Sequence, residues 1–216
     1  MMSTRLPTDI ERHNTENELS ERVVRFTTNV GVPTEGQSNT PEYAIIDSGA
    51  DTIGIGGNSW IITEKSGRTV TVAGYNDNLV MKDRPIVTAV TAYDLPDGET
   101  ILLRANEATD LGNKSNTLLS TTQMREYGVH VDDVPRQFGG SQTLEVDGEL
   151  LPLTMVDGLV CLQIRKPNNY ELENLEVIDI SDGSKEWNPE TLNDHRAESE
   201  HELNSLVRTE MIKAFT

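Results

Sequence analysis

The stretch EYAIIDSGADT, residues 42–52, ends an apolar run on a carboxylate. Asp47 supplies the acid. The hydroxyl of Ser48 can donate a hydrogen bond that fixes the loop, and Gly49 lets backbone N–H groups approach the carboxylate closely. Two such carboxylates facing each other at about 3 Å cannot both ionise, so they share a proton; one then acts as base on a water while the other acts as acid on the carbonyl under attack. The two titrations belong to the pair. The chain carries a single Asp-[Ser/Thr]-Gly, because the Asp-Gly pairs at Asp97, Asp147, Asp157 and Asp182 lack the intervening hydroxyl and read as turns. The second carboxylate would therefore come from a second copy of the chain, with Asp47 opposite Asp47 across a two-fold axis. The competing reading makes Asp47 the first residue of an ordinary loop.

To hold such a carboxylate the chain needs strands, and it has them. YAIID, WIITEK, RTVTVAG, RPIVTAVTAY, TILLRA, LEVDGELLPLTM and LVCLQIR are short, rich in Val, Ile and Thr, and separated by Gly, Asn and Asp. That spacing indicates an all-β barrel or sandwich and argues against alternating strands and helices. Pro96-Asp97-Gly98 predicts a hairpin between strands at 86–94 and 100–105, and Asp147-Gly148 predicts another. Ser120-Thr-Thr-Gln123 reads as a capping box opening a helix of about two turns, TTQMREY, with Gly128 just past its end. Trp60 and the Ile61-Ile62 pair read as core, and Thr52 as structural.

Composition limits the rest. Apolar residues make up 35% of the 216, below the usual range for globular chains, so part of the chain is expected outside the core. Residues 1–40 read as a polar tail or linker with one weak strand around 22–28, residues 41–167 as the folded domain, and residues 168–216 as an acidic tail, helical from Pro189. A net charge of -18 with no Lys/Arg cluster argues against direct nucleic-acid binding or an anionic membrane surface. No apolar run approaches the roughly 18 residues that cross a bilayer. The single cysteine, Cys161, has no internal partner, which fits a reducing, cytoplasmic compartment. The four histidines lie apart, so neither a metal nor another cofactor is expected. A phosphate cradle of the Gly-rich, Lys-Ser/Thr kind is missing, and Gly49 stands where an aspartate-nucleophile phosphatase would need its second acid.

Over residues 42–166 the order of these pieces resembles the retroviral-type aspartic proteases, and more closely those of copia-type LTR retrotransposons. IIDSGADT is similar to the family's active-site loop, which implies Asp47 as catalytic residue and Ser48, Gly49 and Ala50 as the loop around it. SGRTVTVAGYND resembles the flap hairpin, with Ala73, Gly74 and Tyr75 near its tip and in contact with substrate; an ordinary hairpin end is the alternative. DGETILLRANEATDLGNKSNTLLSTTQMREYG resembles the segment that runs from a hairpin strand through Leu-Leu-Ser to the helix, and GLVCLQIRKP the closing strand. The chain departs from the family in having TLLS before the helix and no arginine to pair with Asp51, Lys114 being the nearest cation. Asp51 thus has two readings, substrate-backbone binding or turn capping. The resemblance implies an all-β, retropepsin-like closed barrel with one short helix, and an aspartic endopeptidase acting as a homodimer on a retrotransposon Gag-Pol polyprotein, in the cytoplasm or in virus-like particles. Its rival is a retropepsin-like barrel that no longer cleaves and serves as an interaction or dimerisation module.

Overall fold

The computed structural model describes residues 42–74 and 80–193, together with the backbone of 23–25. In chain order the elements are β1 (Val23–Arg25), β2 (Glu42–Asp47), β3 (Gly54–Gly56), β4 (Ile61–Ala73), β5 (Val80–Asp94), β6 (Thr100–Gly112), β7 (Leu118–Ser120), α1 (Thr121–Tyr127), β8 (His130–Asp132), a 3-10 turn (Arg136–Phe138), β9 (Thr143–Val146), β10 (Glu149–Pro152), β11 (Thr154–Val156), β12 (Leu159–Ile164), α2 (Asn169–Asn174) and β13 (Val177–Asp179). The described chain is thus mostly β-structure, as its turn-punctuated apolar segments require.

Ten strands form one sheet in the order β1-β4-β5-β6-β3-β7-β2-β12-β11, with β13 added beside β6; β10-β9-β8 make a second sheet. The expected closed barrel is not what this path draws. It has two ends, β1 and the short β11, and an isolated bridge between Ala92 and Arg165 ties the chain just beyond β12 back to β5. Register shifts along β4 and β5, and again between β5 and β6, bend these long strands. Bulges of this kind curl a sheet without completing its ladder.

Both faces of the central strands are covered, which explains why they read as continuous apolar runs. Successive residues alternate between two clusters: Ala44 and Ile46, Leu119, Leu162 and Ile164 enter the larger one, whereas Ile45, Leu118 and Cys161 enter the smaller. Trp60 is buried as expected, whereas Ile61 is half-buried and Ile62 exposed.

The turns follow their residue types. Asp147-Gly148 and Asp157-Gly158 both hold φ > 0 and close two-residue hairpins, β9–β10 and β11–β12. The β5–β6 hairpin runs through Pro96-Asp97-Gly98, with Asp94 opposite Thr100. WIITEK and RTVTVAG, read as separate segments, are one strand, β4, interrupted at Gly67 with φ 79°.

Residues 168–193 are not the acidic tail that their composition suggests. The Asn168 side chain accepts from the Glu171 N–H at 3.0 Å while the Glu171 carboxylate accepts from the Asn168 N–H at 2.8 Å, a full capping box that starts α2. Leu172, Leu175 and Val177 then pack on Val90, Ala92 and Leu102, and β13 pairs in parallel with β6. The domain therefore extends beyond residue 167. At Asn188-Pro189 a helical turn begins, with Asn188 Oδ1 accepting from the Glu190 N–H at 3.1 Å. The rest of the expected terminal helix, residues 194–216, lies outside the described residues. Val23–Arg25, within the expected weak strand, pairs in parallel with residues 71–73 of β4.

Arg165 joins three of these pieces. Its guanidinium holds Asp94 at 2.7 and 2.8 Å and Glu171 at 2.7 and 2.9 Å, so it ties β12 to β5 and to the cap of α2. Arg165→Ala should destabilise the domain by about 2 kcal/mol, the half-exposed Asp94 contributing less than Glu171. The hydrogen bonds from Arg165 hold both carboxyls below their ordinary range. Their contribution is therefore complete above the ordinary carboxylate value of about 4 and is lost as pH falls through the depressed folded values. Thermal melts should show the gap between wild type and variant shrinking below about pH 4; an equal gap at neutral pH and well below that value would refute the pairing.

Candidate active site

β2 ends on Asp47, which lies beside Ser120 where β2 and β7 pair in parallel. Strand alternation puts Asp47 on the same face as Ile45. That face is covered by the far half of the β4–β5 hairpin, since Val70, Val72 and Ile86 share a cluster with Ile45 and with Ala50 of the loop. Asp47 is only 5% exposed. Its Oδ1 accepts from the Gly49 N–H at 2.8 Å, the close backbone approach for which the glycine is suited.

A loop buried this deeply must satisfy its own peptide groups, and three distant side chains do so. The Ser120 hydroxyl donates to the Ala50 carbonyl at 2.7 Å while accepting from the Gln123 N–H at 3.1 Å, so one oxygen caps α1 and ties the loop. Gln123 Oε1 accepts from the Ile53 N–H at 2.7 Å, and its amide N–H groups donate to the carbonyls of Asn106 and Glu107. The Trp187 indole N–H donates to the Asp51 carbonyl at 2.9 Å and to Thr52 Oγ1 at 3.2 Å. From β6, the Thr109 N–H donates to the Ile53 carbonyl at 2.8 Å.

These contacts revise two readings. The hydroxyl that fixes the loop is that of Ser120; Ser48 is exposed and its side chain bonds to none of the described residues. Gln123 completes only half of the expected capping box, because its amide is used across the fold and does not turn back on the cap. Thr52 is fully buried, and its Oγ1 accepts from the Trp187 indole N–H. Ala50 is buried and Asp51 half-buried, while Lys114 stands exposed on the turn after β6. Ala73 pairs with Val80, the last pair of the β4–β5 ladder. Ala73 and half-buried Gly74 sit at that end of the hairpin; Tyr75 lies outside the described residues.

No family model, curated protein or solved structure matches the chain. The chemistry has to be taken from the side chains themselves.

On those terms the one cysteine is a poor nucleophile. Cys161 lines a groove of about 300 Å³ at the other end of β2, together with Glu42, Tyr43 and Asp157. Burial, with Asp157 adding to it, pushes its thiol up to about 11, so it carries almost no thiolate at neutral pH.

The sequence pointed to Gln123 through the Ser-x-x-Gln spacing but gave it the wrong partner, and nothing local marked Trp187, which bonds 136 residues away. Gln123→Leu leaves the buried Ile53 N–H unpaired and should cost about 2–3 kcal/mol. Ser120→Ala should cost about 1–2 kcal/mol through the lost cap. Urea denaturation of both variants checks the order; a Gln123→Leu protein as stable as wild type would show that the loop is held elsewhere.

Proposed function

We propose that the chain is an aspartic endopeptidase of retropepsin-like fold that works as a homodimer. The observation that carries this reading is Asp47: a buried carboxylate at the end of a strand, hydrogen-bonded by Gly49, on a loop whose backbone is clamped from several sides. A carboxylate that merely opens a surface loop needs none of that support. Each subunit contributes one Asp47, and the two share a proton. The ionised member takes a proton from a water lying between them, the water attacks the scissile carbonyl, and the protonated member donates to the carbonyl oxygen. As the tetrahedral intermediate collapses, the member that took the proton from water gives it to the leaving amine, and the member now ionised takes a proton from a gem-diol hydroxyl, which restores the shared proton. The β4–β5 hairpin, with Ala73, Gly74 and Tyr75 at or near its tip, serves as the flap that excludes solvent and pairs with an extended substrate. The substrate class is a polypeptide, with a retrotransposon-type polyprotein the one the motif order suggests. The net charge of -18 argues against nucleic acid as a direct partner.

Among the described residues no helix is long and apolar enough to cross a membrane.

The test is cleavage of a mixed peptide library at mildly acidic pH by the full chain. Wild type should cleave, Asp47→Asn should lose about a thousandfold in rate, and sedimentation should give a dimer at the concentrations that are active. A wild type that cleaves nothing, or a variant that cleaves equally well, would leave the non-catalytic β-module as the better account. A strictly monomeric active enzyme would exclude the shared dyad.

A further inference from the structure

The segment 177–187 takes no part in the proposed chemistry, yet it ends on the loop that carries Asp47. It begins as β13, where Arg104 grips Asp179 through two hydrogen bonds of 2.6 Å. It then continues along β6: the Ile180 N–H donates to the Arg104 carbonyl, and the Ser181 hydroxyl both accepts from the Asn106 N–H and donates to the Asn106 carbonyl at 2.8 Å. At Gly183 the backbone presses so closely on Asn106 that a Cβ would come within 2.9 Å of its side chain. Beyond that point Glu186 pairs with Arg68 of β4 at 2.9 Å, and the Trp187 N–H donates to Glu107 Oε2 at 3.1 Å. Arg68 also pairs with Glu107, so the segment is stapled to β6 and to the base of the hairpin together. All of this delivers one indole, 6% exposed, whose N–H is shared between the Asp51 carbonyl and Thr52 Oγ1.

We infer that Trp187 is a positioning residue for the Asp47 loop, and that the functional unit therefore runs through residue 187. The physical case rests on what the peptide between Asp51 and Thr52 would otherwise do. Ser120 holds the loop at Ala50, and Gln123 and Thr109 hold it at Ile53. Between these ties the Trp187 indole is the group that takes the Asp51 carbonyl. Losing that bond gives the Asp51–Thr52 peptide more freedom to rotate, and the carboxylate of Asp47 lies on the same short loop. A dyad of facing acids depends on sub-ångström placement, so a small rotation costs rate while leaving substrate affinity almost unchanged. The kinetic half of this inference rests on the protease reading; the structural half does not.

The experiment uses the full chain of 216 residues in four forms: wild type, Trp187→Phe, Thr52→Val and Trp60→Phe. Trp187→Phe keeps an aromatic ring and removes the N–H. Thr52→Val removes one acceptor of the same N–H and serves if Trp187→Phe does not fold. Trp60→Phe is the matched control, since its indole N–H donates to Thr117 Oγ1 at 3.0 Å, outside the Asp47 loop. Hydrogen exchange read on a peptide covering residues 49–53 should speed up by about fivefold in Trp187→Phe, by less in Thr52→Val, and not at all in Trp60→Phe. In the cleavage assay Trp187→Phe should lower kcat about tenfold with KM within about twofold of wild type. Exchange in Trp187→Phe no faster than in Trp60→Phe overturns the inference. If wild type cleaves and Trp187→Phe cleaves as fast, positioning is lost and the protease reading stands. If wild type cleaves nothing, the protease reading falls and the exchange result alone decides whether Trp187 holds the loop.

Discussion

Irregular backbone inside a protein has to find hydrogen-bond partners without a ladder to supply them, and that requirement organises this molecule around residues 47–53. A surface loop would leave its peptides to water. Here the loop lies under a hairpin, so its carbonyls and N–H groups are met by a hydroxyl and an amide from the start of α1 and by an indole from the segment after β13. Each of these side chains has a second anchor. Ser120 also caps α1, Gln123 also reaches the carbonyls of β6, and the backbone that carries the indole is fixed by the Trp187 main-chain N–H donating to Glu107. The loop is therefore as rigid as the elements behind it, which is the condition under which a carboxylate keeps one orientation.

The same requirement explains the sheet order. β3 sits between β6 and β7, and β7 lies beside β2 in parallel, so the strand that ends in Asp47 and the strand that ends in Ser120 finish side by side. Parallel neighbours put their C-terminal ends at one edge, and that is where the loop and the start of α1 meet. With apolar clusters on both faces, the buried part of β2 from Ala44 onward has no solvent side to tilt toward. The carboxylate is thus held by packing along the strand and by hydrogen bonds beyond it.

How much of this could be read in advance depended on distance along the chain. Local rules worked at most points: the Asp-Gly turns at Asp97, Asp147 and Asp157, the Ser120 cap, the Gly128 stop and the β5–β6 hairpin each rest on a few adjacent residues, whereas Asp182-Gly183, also read as a turn, runs on beside Asn106 without one. Net composition misled, because the glutamates after Pro167 looked like a solvated tail although Asn168 and Glu171 already had capping-box spacing. The contacts that decide the site were illegible for another reason. Gln123 is a helix residue by every local criterion, and its choice of Ile53 over its own cap is set by burial against β6. Trp187 has no neighbour in sequence that hints at Asp51. The flap tip at Tyr75 was named from its resemblance alone and lies outside the described residues.

The parallel pairing of β2 with β7 and the tie from Trp187 also impose an order in time. Hydrogen bonds from the loop span 70 residues to Ser120 and Gln123 and 136 to Trp187, and a contact cannot form before both of its ends exist. On a growing chain the Asp47 segment emerges early and waits for its supports, first the Leu118–Ser120 strand with the helix behind it and last the indole. Closure over such separations is slow compared with the local hairpins, so the loop is among the late regions to reach its final shape.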